Sequence, residues 1–111
     1  MLVEKPVGIF ADEVAEILPV LAERPELVCG VMYNRRAAQA YRHVKNLVQS
    51  GELGELVRCS WIITNLYRTE AYYTSGAWRG TWQGEGGGLL MTQASHQLDL
   101  MQWICGMPVS V

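Results

Sequence analysis

Gly86-Gly87-Gly88-Leu89-Leu90-Met91-Thr92-Gln93-Ala94-Ser95-His96-Gln97-Leu98-Asp99-Leu100 places an ionisable stripe on a segment that is otherwise apolar. At helical pitch, Thr92, His96, Asp99 and Trp103 share one face, while Leu90, Ala94, Leu98, Met101 and Cys105 supply apolar surface around the rest of the cylinder. The pattern predicts one helix, led in by a flexible triple glycine and stopped by Gly106 and Pro108. Two readings of the polar face compete. In one, His96 is a core or interface histidine bonded to Asp99 or to backbone, since buried polar groups find partners. In the other it is a general acid/base, because its ordinary pKa lies near neutrality and Asp99, one turn on, can orient the imidazole.

The N-terminus favours chemistry over packing. Met1-Leu2-Val3 reads as a short buried strand that delivers Glu4-Lys5-Pro6 at its C-terminal end, where open α/β sheets bind ligands. Lys5 is either a surface charge or a donor to a hydroxyl or carbonyl oxygen, able to move a proton when partly desolvated. Pro6 fixes the backbone beside it. Val14, Ile17, Leu18 and Leu21 then recur at helical spacing, with Asp12 and Glu13 at the favourable N-terminal end. Residues 27–33 read as a valine-rich central parallel strand. A second helix is expected over 37–49, with Ala40, Val44, Leu47 and Val48 inward and Gly51 as its cap. Residues 55–65 alternate as a strand whose Leu56, Arg58, Ser60, Ile62 and Thr64 face is either partly solvated or awaits another chain. Residues 66–88 have no clean period and gather Tyr67, Arg68, Tyr72, Tyr73, Trp78, Arg79 and Trp82. Such a stretch is either a half-buried loop or a surface for sugar rings, whose C–H faces stack while their hydroxyls need polar partners.

In this order, Glu4-Lys5-Pro6, Val31-Met32-Tyr33-Asn34-Arg35-Arg36, Gly51-Glu52-Leu53-Gly54-Glu55, Trp78-Arg79 and the glycine-led His96 helix resemble the Gfo/Idh/MocA family along essentially the whole chain. The resemblance implies an NAD(P)-dependent oxidoreductase that transfers a hydride between the nicotinamide and a sugar, inositol or related polyol. It also implies a fold: an α/β remnant of a Rossmann-like nucleotide-binding domain over residues 1–34, joined over 35–111 to part of an α+β substrate domain with a mainly antiparallel sheet. Lys5 and His96 are then the catalytic pair, converging on one cavity. Glu4, Lys5, Pro6 and Arg79 border the cofactor, NAD or NADP, and Tyr67, Trp78, Thr92 and Asp99 border the substrate. A homo-oligomer through the sheet face is expected as well.

Two departures from the family pattern stand out. Thr92 occupies the position where the family most often has a carboxylate, and threonine hydrogen-bonds without ionising. The Gly-x-Gly-x-x-Gly fingerprint, which needs a preceding strand and a following helix N-terminus, does not occur in the chain; the glycines from Gly84 to Gly88 follow an aromatic loop instead. The sequence is therefore expected to be a middle slice, inactive alone and without tight dinucleotide binding. The competing reading is a non-catalytic fragment that only associates with itself or with a complete homologue.

Composition narrows the classes further. Nine basic against eleven acidic residues leave no footprint for nucleic acid, and no apolar run is long enough for a membrane span. Three scattered cysteines and two histidines suit neither a disulfide framework nor a metal centre, so no metal is expected. Ser95 lacks the strained turn of a hydrolase nucleophile. With no leader segment in the sequence, the cytoplasm is the expected compartment.

Overall fold

The structure, a computed structural model, describes residues 1–111. It is mostly helical. In chain order the elements are β1 (Leu2–Val3), α1 (Ala11–Ala22), β2 (Gly30–Val31), a 3-10 turn over Asn34–Ala37, α2 (Gln39–Gln49), α3 (Glu70–Thr74), α4 (Trp82–Glu85), α5 (Leu89–Thr92) and α6 (Ser95–Cys105). Two compact units result, each assembled from two separated stretches: 1–32 with 66–95, and 33–65 with 96–111.

The first unit is built on the parallel pair β1 and β2, with Leu2 opposite Gly30 and Val3 opposite Val31. The pairing extends by Gly30 N–H to Met1 O at 3.0 Å and Met32 N–H to Val3 O at 2.8 Å. Glu13 sets the start of α1, its carboxylate accepting from the Ile9 and Phe10 amides at 2.7 and 3.2 Å, which satisfies donors that the helix itself leaves open. Val14, Ile17, Leu18 and Leu21 of α1 line an apolar hollow with Val3, Val7 and Val31, as the helical spacing predicts.

In the second unit, the buried face of α6 runs through Gln97, Leu100 and Ile104, one step round from the stripe that contains His96 and Asp99. Leu100 is fully buried. Ser50 and Gly51, the latter at φ +76°, close α2 where the sequence predicts a cap. Of the residues expected inward on α2, Leu47 and Val48 are half-buried whereas Ala40 and Val44 are exposed.

The expected architecture is corrected here. No mainly antiparallel sheet forms; the sheet is the two-stranded parallel pair of β1 and β2 in a mostly helical chain. Residues 55–65 alternate like a strand, but a strand exists only through a partner that takes its amides and carbonyls, and no other segment of the chain pairs with them. Residues 51–60 are all exposed. Beyond them, Trp61 ties the stretch to α6 by a side-chain bond, Nε1 donating to Gln97 Oε1 at 3.1 Å.

The expected single helix is also two. Ala94 N–H reaches back five residues to Leu89 O at 2.8 Å, which widens the last turn of α5, and the chain resumes as α6 at Ser95. Ala94, at that turn, has no exposed surface.

Candidate active site

The first unit contains a cavity of about 270 Å³ lined by Lys5, Pro6, Ile9, Tyr72, Trp78, Gly84, Glu85 and Thr92. Lys5 reaches it from the end of β1 through a cis Lys5–Pro6 bond. Its ammonium donates to the Thr92 carbonyl at 2.6 Å. That acceptor is free for Lys5 because α5 ends there: a helix leaves its last carbonyls without intrahelical amides, and the break before Ser95 places one of them at the cavity. The Ser95 hydroxyl donates to the same oxygen at 3.4 Å. Thr92 thus contributes its main chain, while its hydroxyl turns back on Gly88 O at 3.4 Å.

Aromatic rings and a guanidinium form the next wall. Thr69 caps α3, its hydroxyl accepting from the Tyr72 amide, and so positions Tyr72. The Arg79 guanidinium lies over the Tyr72 ring at 4.3 Å and over the Trp78 ring at 4.4 Å, a geometry in which each ring face attracts the cation. Arg79 Nε is shielded from solvent with no acceptor in the protein.

The third side is α4. Thr81 caps it by accepting from Gly84 N–H at 3.0 Å, and Gly86 ends it in the left-handed conformation at φ +67°. Between these glycines sits Glu85, only 6% exposed. A Cβ at Gly84 would lie 2.5 Å from Trp78 O, and one at Gly86 would lie 1.9 Å from Ile9 Cγ2. These glycines therefore serve close packing of α4 against Trp78 and Ile9. The spacing alone suggests a flexible lead-in; the contact that demands glycine comes from residues far away in sequence.

His96 and Asp99 lie in the second unit. His96 is half-buried and meets the Tyr33 ring edge-on, with centroids 5.9 Å apart. The Asp99 carboxylate is gripped by Arg36, Nε donating to Oδ2 at 2.8 Å and Nη2 to Oδ1. This hydrogen bond is the chief reason that the Arg36 pKa is raised, against the opposing effect of burial. Burial, followed by the nearby Asp99 charge, pushes the Tyr33 phenol up, with Arg36 acting the other way.

Of the residues expected from sequence, Lys5, Pro6, Trp78 and Thr92 border this cavity and Arg79 stacks on Trp78 in its wall, whereas His96 is not among the lining residues. Glu4 is exposed, and Tyr67 is 82% exposed. Tyr72 enters the sequence reading only among the aromatic residues of 66–88, and Ile9 and Glu85 do not enter it as site residues. The legible signal for Glu85 is a lone carboxylate inside a glycine cluster, where little else competes for a role. No group of three or more His, Cys, Asp or Glu side chains is placed to hold a metal ion. No helix is long and apolar enough to cross a membrane.

Comparison with known proteins gives these residues a context. Residues 41–111 match the family described as the GFO/IDH/MocA C-terminal domain. The chain is 30% identical over 112 residues to an inositol 2-dehydrogenase of Leifsonia xyli subsp. xyli, covering 99% of this chain and 29% of the relative. It is 26% identical over 106 residues to the rhizopine catabolism protein MocA of Rhizobium meliloti, covering 96% of this chain and 30% of that protein. An uncharacterized oxidoreductase of Synechocystis is 29% identical over 109 residues, covering 96% of this chain and 28% of that protein. The chain thus spans under a third of the length of the curated relatives it matches.

Proposed function

The chain belongs to the GFO/IDH/MocA family, a family of oxidoreductases, and from that premise we propose that it supplies the polyol-handling part of an NAD(P)-dependent dehydrogenase. Residues 1–34 would come from the cofactor-binding side and 35–111 from the substrate side, in a cytoplasmic enzyme. The observation that carries the reading is the cavity in which an ammonium group, fixed at 2.6 Å by the Thr92 carbonyl, faces two aromatic walls. A volume of about 270 Å³ suits one sugar-sized ring.

The donor set fits the nicotinamide end of the cofactor. Arg79 Nε is a buried donor with no protein acceptor, and Lys5 presents a cation at the cavity. The glycine cluster offers no diphosphate cradle, because Trp78 and Ile9 fill the space beside Gly84 and Gly86. We assign Glu4, Lys5, Pro6 and Arg79 to the cofactor and Tyr67, Trp78, Thr92 and Asp99 to the substrate. Bound there, NAD or NADP would supply the hydride acceptor for oxidation of the carbinol carbon.

The remaining work belongs to the chain. Lys5 is the proton-handling group in the cavity: in oxidation its amine form takes the hydroxyl proton, and in reduction its ammonium form donates to the substrate oxygen and gives that proton back. Tyr72 and Trp78 orient the ring and exclude water. His96 is assigned as the second acid/base.

The test uses a polypeptide that joins this chain to a dinucleotide-binding segment and follows NAD(P)H formation with a polyol. Lys5→Ala and His96→Ala should each lower kcat by about 10²–10⁴-fold with a smaller change in KM. Near-normal turnover in both variants would refute the assignment.

A further inference from the structure

Cysteine spacing gives no pairing, since Cys29, Cys59 and Cys105 are scattered along the chain, but the fold of the second unit brings two of them together. The Cys59 side chain hydrogen-bonds to the Cys105 thiol. Cys59 is exposed, whereas Cys105, the last residue of α6, is half-buried, and both are free thiols. Two positions beyond Cys59, Trp61 Nε1 donates to Gln97 Oε1 at 3.1 Å. The stretch 55–65 is thus fastened to α6 near both ends of that helix, at Gln97 and at Cys105.

A disulfide needs its two Cβ atoms within about 4.5 Å and a defined dihedral between them, so at least one backbone must be able to adjust. Cys59 meets that requirement. Residues 51–60 are exposed and pair with no strand, so no ladder hydrogen bond opposes a small shift. The two sulfurs also divide the work of exchange. An exposed thiol is open to a disulfide arriving from solution, while a half-buried thiol is shielded from that encounter yet lies beside the first sulfur. Cys29 belongs to the first unit.

We propose that Cys59 and Cys105 are a thiol–disulfide switch, in which a small disulfide such as oxidised glutathione closes a covalent clasp between residues 55–65 and α6. The Cys59 thiolate attacks one glutathione sulfur, forming a mixed disulfide and releasing one glutathione thiolate. Cys105, its proton given up to solvent, then attacks the Cys59 sulfur and releases the second. Two protein thiols are oxidised by two electrons, and one glutathione disulfide becomes two glutathione thiols that carry the two protons. Excess reduced glutathione runs the steps backwards. The clasp constrains the helix that carries His96 and Asp99, and its chemistry needs neither substrate nor nicotinamide.

The experiment incubates the folded chain with oxidised glutathione, quenches with acid, alkylates the remaining thiols and maps the cysteines by peptide mass spectrometry without reduction, alongside thermal melts. Wild type should yield a link from Cys59 to Cys105 within a monomer, with Cys29 outside it. Its Tm should rise by about 10 °C and return to the starting value with dithiothreitol. Cys105→Ser should stop at the mixed disulfide of Cys59 with glutathione. Cys59→Ser, a change at an exposed position, should leave Cys105 reacting at least about tenfold more slowly than Cys59 does in wild type. In concentrated urea the link should lose its advantage over links to Cys29. A wild-type chain that halts at the mixed disulfide, joins Cys59 to Cys59 of another copy, pairs Cys29 as readily, or forms no link at all overturns the switch.

Discussion

Asp99 holds a charge whose side chain is 8% exposed, and the Arg36 fork gives it two parallel donors. The guanidinium also lies over the Tyr33 and Trp103 rings at 5.9 and 5.5 Å, so its charge is matched on several sides. Cys105, on the last turn of α6, is a half-buried thiol. Burial pushes its thiol up, and the hydrogen bond and charge of Cys59 add to the shift. The folded chain therefore keeps the Cys105 proton to a higher pH than the unfolded chain does. Stability is fully present below the ordinary thiol range and falls as pH rises through the higher folded value. Melting temperatures followed upward from about pH 8.5 should decline, and Cys105→Ala should flatten the first part of that decline. Tyr33 shifts in the same direction and adds a further decline above the ordinary phenol range. A flat profile in wild type would contradict the Cys105 account. At this scale Lys5, Pro6 and Trp78 are legible in the sequence, because a lysine after a short strand and an aromatic loop are local patterns. Glu85 shows in the sequence only as a carboxylate among glycines, and its burial does not, because the packing there depends on Ile9 and Trp78 meeting the glycines beside it.

Among the elements, α1, α2 and the end of α6 are legible because spacing and end signals agree. The α5–α6 break is not. Its sequence has no proline, and the widened turn is marked by the bond from the Ala94 amide to Leu89 O, at a residue that is fully buried. Residues 55–65 show the opposite failure: the alternation is real, but pairing is not a local property. The α4 turn offers a sharp test. Gly86→Ala places a side chain at φ +67° and onto Ile9, and should cost about 2 kcal/mol or more in thermal or urea unfolding. Gly88→Ala, with open space around its Cβ, should change stability little. Adding Ile9→Ala to Gly86→Ala should relieve the side-chain clash and leave the conformational part. Additive effects of the two substitutions would show that the close approach does not set the turn.

For the molecule as a whole, little apolar surface is sealed. Ala94, Leu100 and Ile104 are the buried hydrophobic residues, while Val28, Val57, Ile62 and Trp82 are each at least 80% exposed. Exposed apolar surface of this extent favours association. Sedimentation of the purified chain should show a mass that rises with concentration above the 12.4 kDa monomer, and a single monomeric species throughout would refute this. The bond between Lys5 and the Thr92 carbonyl joins positions 87 residues apart. Ring closure of that length carries an entropic penalty that short-range contacts escape, and its acceptor belongs to the main chain, beyond the reach of ordinary side-chain substitution. Placement of the Lys5 ammonium is thereby tied to completion of the first unit, and partial opening of that unit releases it while local helices persist.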